Sequence, residues 1–143
     1  MKKFVLPLAF ILFLVSCKPE YNPRIIDSVE IKEFFIDSTS IRAIQTMGNG
    51  TVYFAGANGK VGYSNNEGKK WFIKKFVYQD STVPSFRSIA TNGKDIFVLS
   101  IANPALLYQI FDNKAILKYS EQNDKVFYDA IAFFNDGLHG IAV

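Results

Sequence analysis

One cysteine, one histidine, three arginines and a scatter of carboxylates are the side chains that could carry chemistry in this 143-residue sequence. Cys17 is the sole thiol, so the chain has neither an intramolecular disulfide nor a thiolate metal cluster. His139 sits between Leu138 and Gly140 with no adjacent carboxylate pair and no metal-ligand spacing, which reads as a turn or strand-edge residue. Asp124, Asp129 and Asp136 lack the spacing of a calcium loop. Gly56 and Gly59 precede strand-like sequence, unlike the strand-to-helix glycines that cradle a phosphate. No metal, cofactor or catalytic residue is assigned. Arg42 and Arg87 are different, because they hold the same place in Ser40-Ile41-Arg42-Ala43-Ile44 and Ser85-Phe86-Arg87-Ser88-Ile89, 45 residues apart. A guanidinium at a repeated position is a candidate ligand contact through charge-assisted hydrogen bonds.

The reactivity of Cys17 depends on what precedes it. Lys2 and Lys3 open the chain, an apolar run follows from Phe4 to Val15, and Ser16-Cys17 stands where polarity returns. A positive start followed by a short apolar run is the layout of an export signal. The run is too short to span comfortably a hydrocarbon core of roughly 30 Å as a helix. Leu14-Val15-Ser16-Cys17 resembles the lipobox of bacterial lipoproteins. That resemblance implies removal of residues 1–16 as a signal peptide and lipidation of Cys17 as the first mature residue. Membrane lipid is then a partner through Cys17. The expected location is the bacterial cell envelope, periplasmic or surface-exposed, with acyl chains in place of a transmembrane helix.

Residues 17–27, which include Lys18-Pro19-Glu20-Tyr21-Asn22-Pro23, read as the lipidated cysteine and a tether. Loss of Lys2 and Lys3 leaves 14 basic side chains against 13 acidic ones, a balance of +1. That near-neutral balance argues against nucleic acid as a partner. Lys69, Lys70, Lys74 and Lys75 form a local basic patch flanked by Glu67 and Asp80, which reads as a solvated strand face.

The elements that would position these side chains are strands. Val29-Glu30-Ile31-Lys32 alternates, Val52 to Ala55 is strand-prone, and Phe72 to Tyr78 suits an exposed sheet. Ile96 to Leu99 and Ile131 to Phe134 are shorter and more apolar, and Ala105 to Phe111 fits a strand or a helical turn. Between them lie clusters such as Gly48-Asn49-Gly50, Asn58-Gly59, Asn92-Gly93 and Asp136-Gly137, residues that tolerate the positive φ of hairpin turns. The arginine segment returns weakly as Phe127-Tyr128-Asp129-Ala130-Ile131, and each copy precedes a turn and another apolar strand. Tyr63 and Tyr108 share the 45-residue offset, which sets Ile116 opposite Trp71. Ile44 and Ile89 are expected in the core. Several short strands repeating every forty-odd residues predict an all-β, partial β-propeller of consecutive antiparallel blade-like sheets over residues 28–143.

Ser64-Asn65-Asn66-Glu67-Gly68-Lys69-Lys70-Trp71 resembles the Asp-box of BNR and sialidase-type propellers, with Asn66 in the usual Asp position. Residues 109–116 look like a degenerate copy without the Gly and Trp. The surrounding segments resemble blades of photosystem II stability/assembly factor-like proteins. In this reading Ser64, Asn66, Gly68 and Trp71 build a turn, and none of their roles requires a ligand. Propellers close with about four to eight blades. Two copies and the opening of a third therefore suggest an N-terminal part of a longer propeller, with an open side.

The expected function is a membrane-anchored, extracytoplasmic module that binds an envelope protein, a peptide or a glycan, with Arg42 and Arg87 as candidate contacts. The alternative implied by the resemblance is a glycosidase or sialidase-like enzyme, or a loosely labelled oxidoreductase, whose active site needs further blades. A sialidase-like site combines an arginine cluster, an acid/base carboxylate and a tyrosine activated by glutamate. The sequence identifies no such Tyr–Glu pair.

Overall fold

The computed structural model describes residues 23–143 except Asp37, Asn49 and Asn113. Cys17 and the apolar run before it lie outside the described residues. The chain divides after Glu33 into two units. In the first, residues 23–33 form neither helix nor strand, although Val29-Glu30-Ile31-Lys32 alternates as a strand would. Val29 and Ile31 are both exposed there. A period-two pattern becomes a stable strand only where neighbouring strands and an apolar layer receive it.

The second unit, Phe34–Val143, is all β in its described residues. Strands β1 (Ile41–Gly48), β2 (Thr51–Gly56), β3 (Lys60–Ser64) and β4 (Phe72–Lys75) form one antiparallel sheet in chain order. Strands β5 (Phe86–Thr91), β6 (Ile96–Ser100), β7 (Ala105–Phe111) and β8 (Lys114–Glu121) form a second sheet of the same order, so Ala105 to Phe111 is a strand. A hairpin follows, β9 (Ile131–Phe133) with β10 (Gly140–Ala142). The first strands of the three sheets are neighbours, β1 beside β5 and β5 beside β9. Backbone bonds near the strand ends join successive sheets: Gly59 N–H to Pro84 C=O at 2.7 Å, and Tyr128 N–H to Ile101 C=O at 2.8 Å.

The recurrence is visible in the pairing as well as in the residues. Ile41 pairs with Gly56 and Ala43 with Ala55, leaving Arg42 as an extra residue. Phe86 pairs with Ser100 and Ser88 with Leu99, leaving Arg87 extra in the same way. In the third sheet the N–H groups of Asp129 and Ala130 both donate to the carbonyl of Val143, at 2.6 and 3.1 Å. Two adjacent donors on one acceptor are a bulge again, with Asp129 in the arginine's place. The hairpin turns recur too. Asn92 Oδ1 accepts from Lys94 and Asp95 N–H, as Asp136 Oδ1 does from Leu138 and His139 N–H.

The constant 45-residue offset does not survive beyond the first strands. Thr46 pairs with Val52 and Thr91 with Ile96, so the second strands align one residue short of it. Phe54 pairs with Gly62 and Val98 with Tyr108, which aligns Tyr108 with Gly62 rather than Tyr63. Phe72 then corresponds to Ile116, where the sequence offset pointed to Trp71. In the second sheet the first connection is one residue shorter, the second two residues longer and the third two residues shorter, so the strands fall one residue to either side of the constant offset, and each such slip moves a side chain to the other face. Packing shows why this alignment works. In the first sheet a large Phe54 lies across a glycine, and a Cβ on Gly62 would overlap its ring. In the second sheet the small Val98 lies across the large Tyr108.

The core lies between the two four-stranded sheets. Ala55, Val61 and Phe76 meet Phe86, Ile89, Val98, Leu106 and Tyr108. Phe76, Phe86 and Tyr108 pack edge to face, with centroids 5.1 to 6.2 Å apart. Full burial of one such side chain contributes about 1.5–3 kcal/mol. The opposite face of the second sheet is covered in part by the hairpin, Phe97 meeting Phe133 at 4.6 Å. Ile44 departs from expectation: it is 63% exposed, whereas its counterpart Ile89 is 7% exposed. The side of the second sheet that holds Ile89 is covered by the first sheet; the corresponding side of the first sheet has no such neighbour at Ile44 among the described residues.

Candidate functional site

The bulges hold Arg42, Arg87 and Asp129 at equivalent places along neighbouring strands. A bulge re-aims the extra side chain away from the pleat. Arg87 Nε donates to Asp129 Oδ1, so the third sheet's substitution of aspartate for arginine neutralises the second sheet's guanidinium. Arg42 is exposed and has no ion-pair partner among the described residues. The repeated position is thus one free cation beside one internal ion pair.

The segment from Ser64 to Trp71 is a closed turn. Ser64 is fully buried; its hydroxyl donates to Asn66 Oδ1 at 2.9 Å and accepts from Gly68 N–H at 2.8 Å. Asn66 Oδ1 also accepts from Lys70 N–H at 2.9 Å. Glu67 and Gly68 take φ of 60° and 81°, and Glu67 N–H donates to the carbonyl of Gly50 in the neighbouring turn. Trp71 meets Phe54 edge-on with centroids 5.2 Å apart, and its indole N–H is buried without a partner among the described residues. In the second sheet Phe111 pairs with Lys114 across a two-residue connection, which leaves no length for an equivalent turn.

His139 has a carboxylate neighbour that linear spacing does not reveal. Its Nδ1 lies 2.7 Å from Asp136 Oδ2 in the exposed β9–β10 turn. The His139 contact, followed by backbone N–H donors from His139 and Leu138, holds the Asp136 carboxyl below its usual range. A Tyr–Glu cluster is also present: Tyr119 donates to Glu121 Oε2 at 2.7 Å and Tyr128 donates to the same oxygen at 3.3 Å. The hydrogen bond to Glu121 is the main reason that the Tyr119 phenol is pushed up, which keeps it protonated. No three His, Cys, Asp or Glu side chains converge as a metal site among the described residues.

A cavity with aromatic walls lies between the two sheets. Tyr53, Tyr63 and Phe72 are cross-strand neighbours on β2, β3 and β4, with successive centroids 5.7 and 5.1 Å apart. With Ile110 and Ala115 of the second sheet they wall a cavity of about 220 Å³, and Lys74 and Lys114 stand at its edge. A second, more polar cavity of about 300 Å³ shares Tyr53 and Ile110 and contains Lys94, Asp95 and Asp112. Asp95 is 7% exposed; its Oδ2 accepts from Gln109 Nε2, while Oδ1 is buried with no partner among the described residues. Burial, then the neighbouring Tyr63, pushes the Tyr53 phenol up. Sequence reasoning missed this aromatic row because its members come from three strands. The period-two spacing within Thr51–Gly56 and Lys60–Ser64 is the signal that could have found it.

Tyr78 and Trp71 are each only partly exposed, Tyr78 packing against the core and Trp71 against Phe54. Compared with models of known protein families the chain matches none, and comparison with curated proteins yields no match.

Proposed function

We propose that this protein is a ligand-binding module anchored in a bacterial cell envelope, periplasmic or surface-exposed, by lipid on Cys17, and that its sheets are consecutive blades of a β-propeller. The cavity between the first and second sheets carries the binding reading: aromatic walls on a rigid scaffold, with a few polar groups, are what a recognition site needs. The propeller reading draws support from the bulge repeated at Arg42, Arg87 and Asp129, and from the first strands of successive sheets lying side by side. The lipid anchor rests on the resemblance of residues 14–17 to a lipobox. Its partner is an envelope protein, a peptide or a glycan.

One observation favours an enzyme, the Tyr119–Glu121 hydrogen bond. A tyrosine nucleophile with a glutamate base is one route to glycoside hydrolysis. Against it, Tyr119 and Glu121 do not line either inter-sheet cavity, and Arg87 is engaged by Asp129. The test is a panel of peptides and glycans offered to the mature protein, with binding and product formation followed in the same samples. Binding without turnover is expected. Product released by the parent protein and lost in Glu121→Gln would establish the enzyme instead.

A further inference from the structure

Resting on the binding-module reading, we propose that the edge of β4 and the adjoining inter-sheet cavity capture an extended acidic peptide segment, with one apolar or aromatic side chain seated between Tyr63, Phe72, Ile110 and Ala115.

Charge supplies the first argument. Lys70, Lys74, Lys75 and Lys114 surround this edge, and none has a carboxylate partner among the described residues. Lys70 and Lys74 instead lie over the rings of Phe72 and Phe76, at 5.1 and 5.6 Å. Lys69, the other member of the basic patch, is already paired with Glu67 at 3.2 Å. Lysines without a carboxylate partner around a cleft attract a partner rich in carboxylates and raise its association rate.

The backbone supplies the second. Among the described residues β4 pairs only with β3, so its outer edge presents N–H and C=O groups that no described strand pairs. An extended peptide can add to such an edge as a further strand, with alternate side chains directed into an adjoining pocket. Lysines on an edge also repel the equally basic edge of a second copy, which narrows the added strand to an acidic one.

Cavity size and chemistry supply the third. About 220 Å³ is below the range of whole-ligand pockets and suits one side chain of a longer ligand. Tyr63 and Phe72 stack on each other at an interplanar angle of 19°, so their faces are partly occupied and the space left is an apolar slot. That slot suits an apolar side chain better than a sugar ring with hydroxyls on every side.

The experiment uses the full mature chain in detergent and four labelled probes: an Asp/Glu-rich peptide with alternating Phe, the same peptide with Ser for Phe, a polyuronate, and a single-stranded oligonucleotide. The Phe-containing acidic peptide is expected to bind best, to slow amide exchange at Phe72–Lys75, and to weaken with added salt. Lys74→Glu with Lys114→Glu should weaken it by about tenfold or more, whereas Lys125→Glu, at an exposed site outside the cleft, should leave it unchanged. Equal binding of the Ser peptide, preference for the polyuronate or the oligonucleotide, or indifference to the lysine reversals would each overturn the proposal. A glycan or folded protein that binds the module and ignores the lysine reversals overturns this inference alone; turnover lost in Glu121→Gln overturns the binding-module reading.

Discussion

Arg87 and Asp129 occupy equivalent bulges of successive sheets, and the guanidinium of one donates to the carboxylate of the other. Both side chains are about half exposed, so solvent screens the pair and it contributes about 0–1 kcal/mol. Arg87→Ala and Asp129→Ala are each expected to shift a urea unfolding midpoint slightly, with a double-mutant cycle giving a coupling inside that range. Arg42→Ala should cost still less, since no partner is left behind. A coupling of several kcal/mol would contradict the assignment of this pair as an exposed contact.

The exchange of large and small side chains between the sheets gives a sharper test. Gly62→Ala places a methyl group in the ring of Phe54, which is fully buried. Overpacking of this kind costs about 1–3 kcal/mol. Phe54→Val opens space beside that methyl, so the double variant should be more stable than the two separate losses predict. Additive losses in denaturant titration would show that the two positions do not share this contact.

Ser64 tests the turn that precedes Trp71. Ser64→Ala removes the acceptor of the Gly68 N–H and the donor to Asn66, at a fully buried site. The expected loss is about 1–3 kcal/mol, the range for leaving buried polar groups unsatisfied. Gly68→Ala adds strain, because its φ of 81° opposes a Cβ. A Ser64→Ala protein as stable as the parent would mean that the hydroxyl does not hold the turn.

Asp136 makes a prediction in pH. Its carboxyl is held down chiefly by His139, with help from the backbone N–H groups of His139 and Leu138. A group whose folded pKa lies below its unfolded value stabilises the fold above the unfolded pKa and loses that contribution as pH falls through the folded one. Carbon-detected titration should find Asp136 protonating below the ordinary aspartate range. His139→Ala should bring it back toward that range, and an Asp136 midpoint indifferent to the substitution would contradict the pairing.

The sequence foretold strands, turns and the repeat well because each is local. Asn92-Gly93 and Asp136-Gly137 announce hairpins, and the Arg42 and Arg87 segments resemble each other residue by residue. What it could not show was register. The connection between the second and third strands is two residues longer in the second sheet, so Tyr108 aligned with Tyr63 in sequence but with Gly62 in space. Ile44 was misplaced for a related reason: an apolar residue on a strand is buried only if another layer covers its face, and that layer is not written in the strand itself. The Arg87–Asp129 pair and the aromatic row of Tyr53, Tyr63 and Phe72 join separate strands and emerged only with the fold, whereas Tyr119 and Glu121 stand two residues apart on β8, a period-two spacing that the sequence carries.

Lipidation has its own measurement. Mass spectrometry of the mature N-terminal peptide should find acyl chains on Cys17 and no residues 1–16, with both features lost in Cys17→Ser. An intact Met1 beside an unmodified Cys17 would overturn the anchor.

The central claim is that the space between the first two sheets binds a ligand. Calorimetric titration of the tightest-binding member of the peptide and glycan panel into the parent protein and into Tyr63→Ala tests it most directly, with thermal unfolding followed on the same samples. Loss of most of the affinity in a variant that still unfolds cooperatively is the predicted result. Unchanged affinity in Tyr63→Ala would place the binding surface elsewhere and contradict the account.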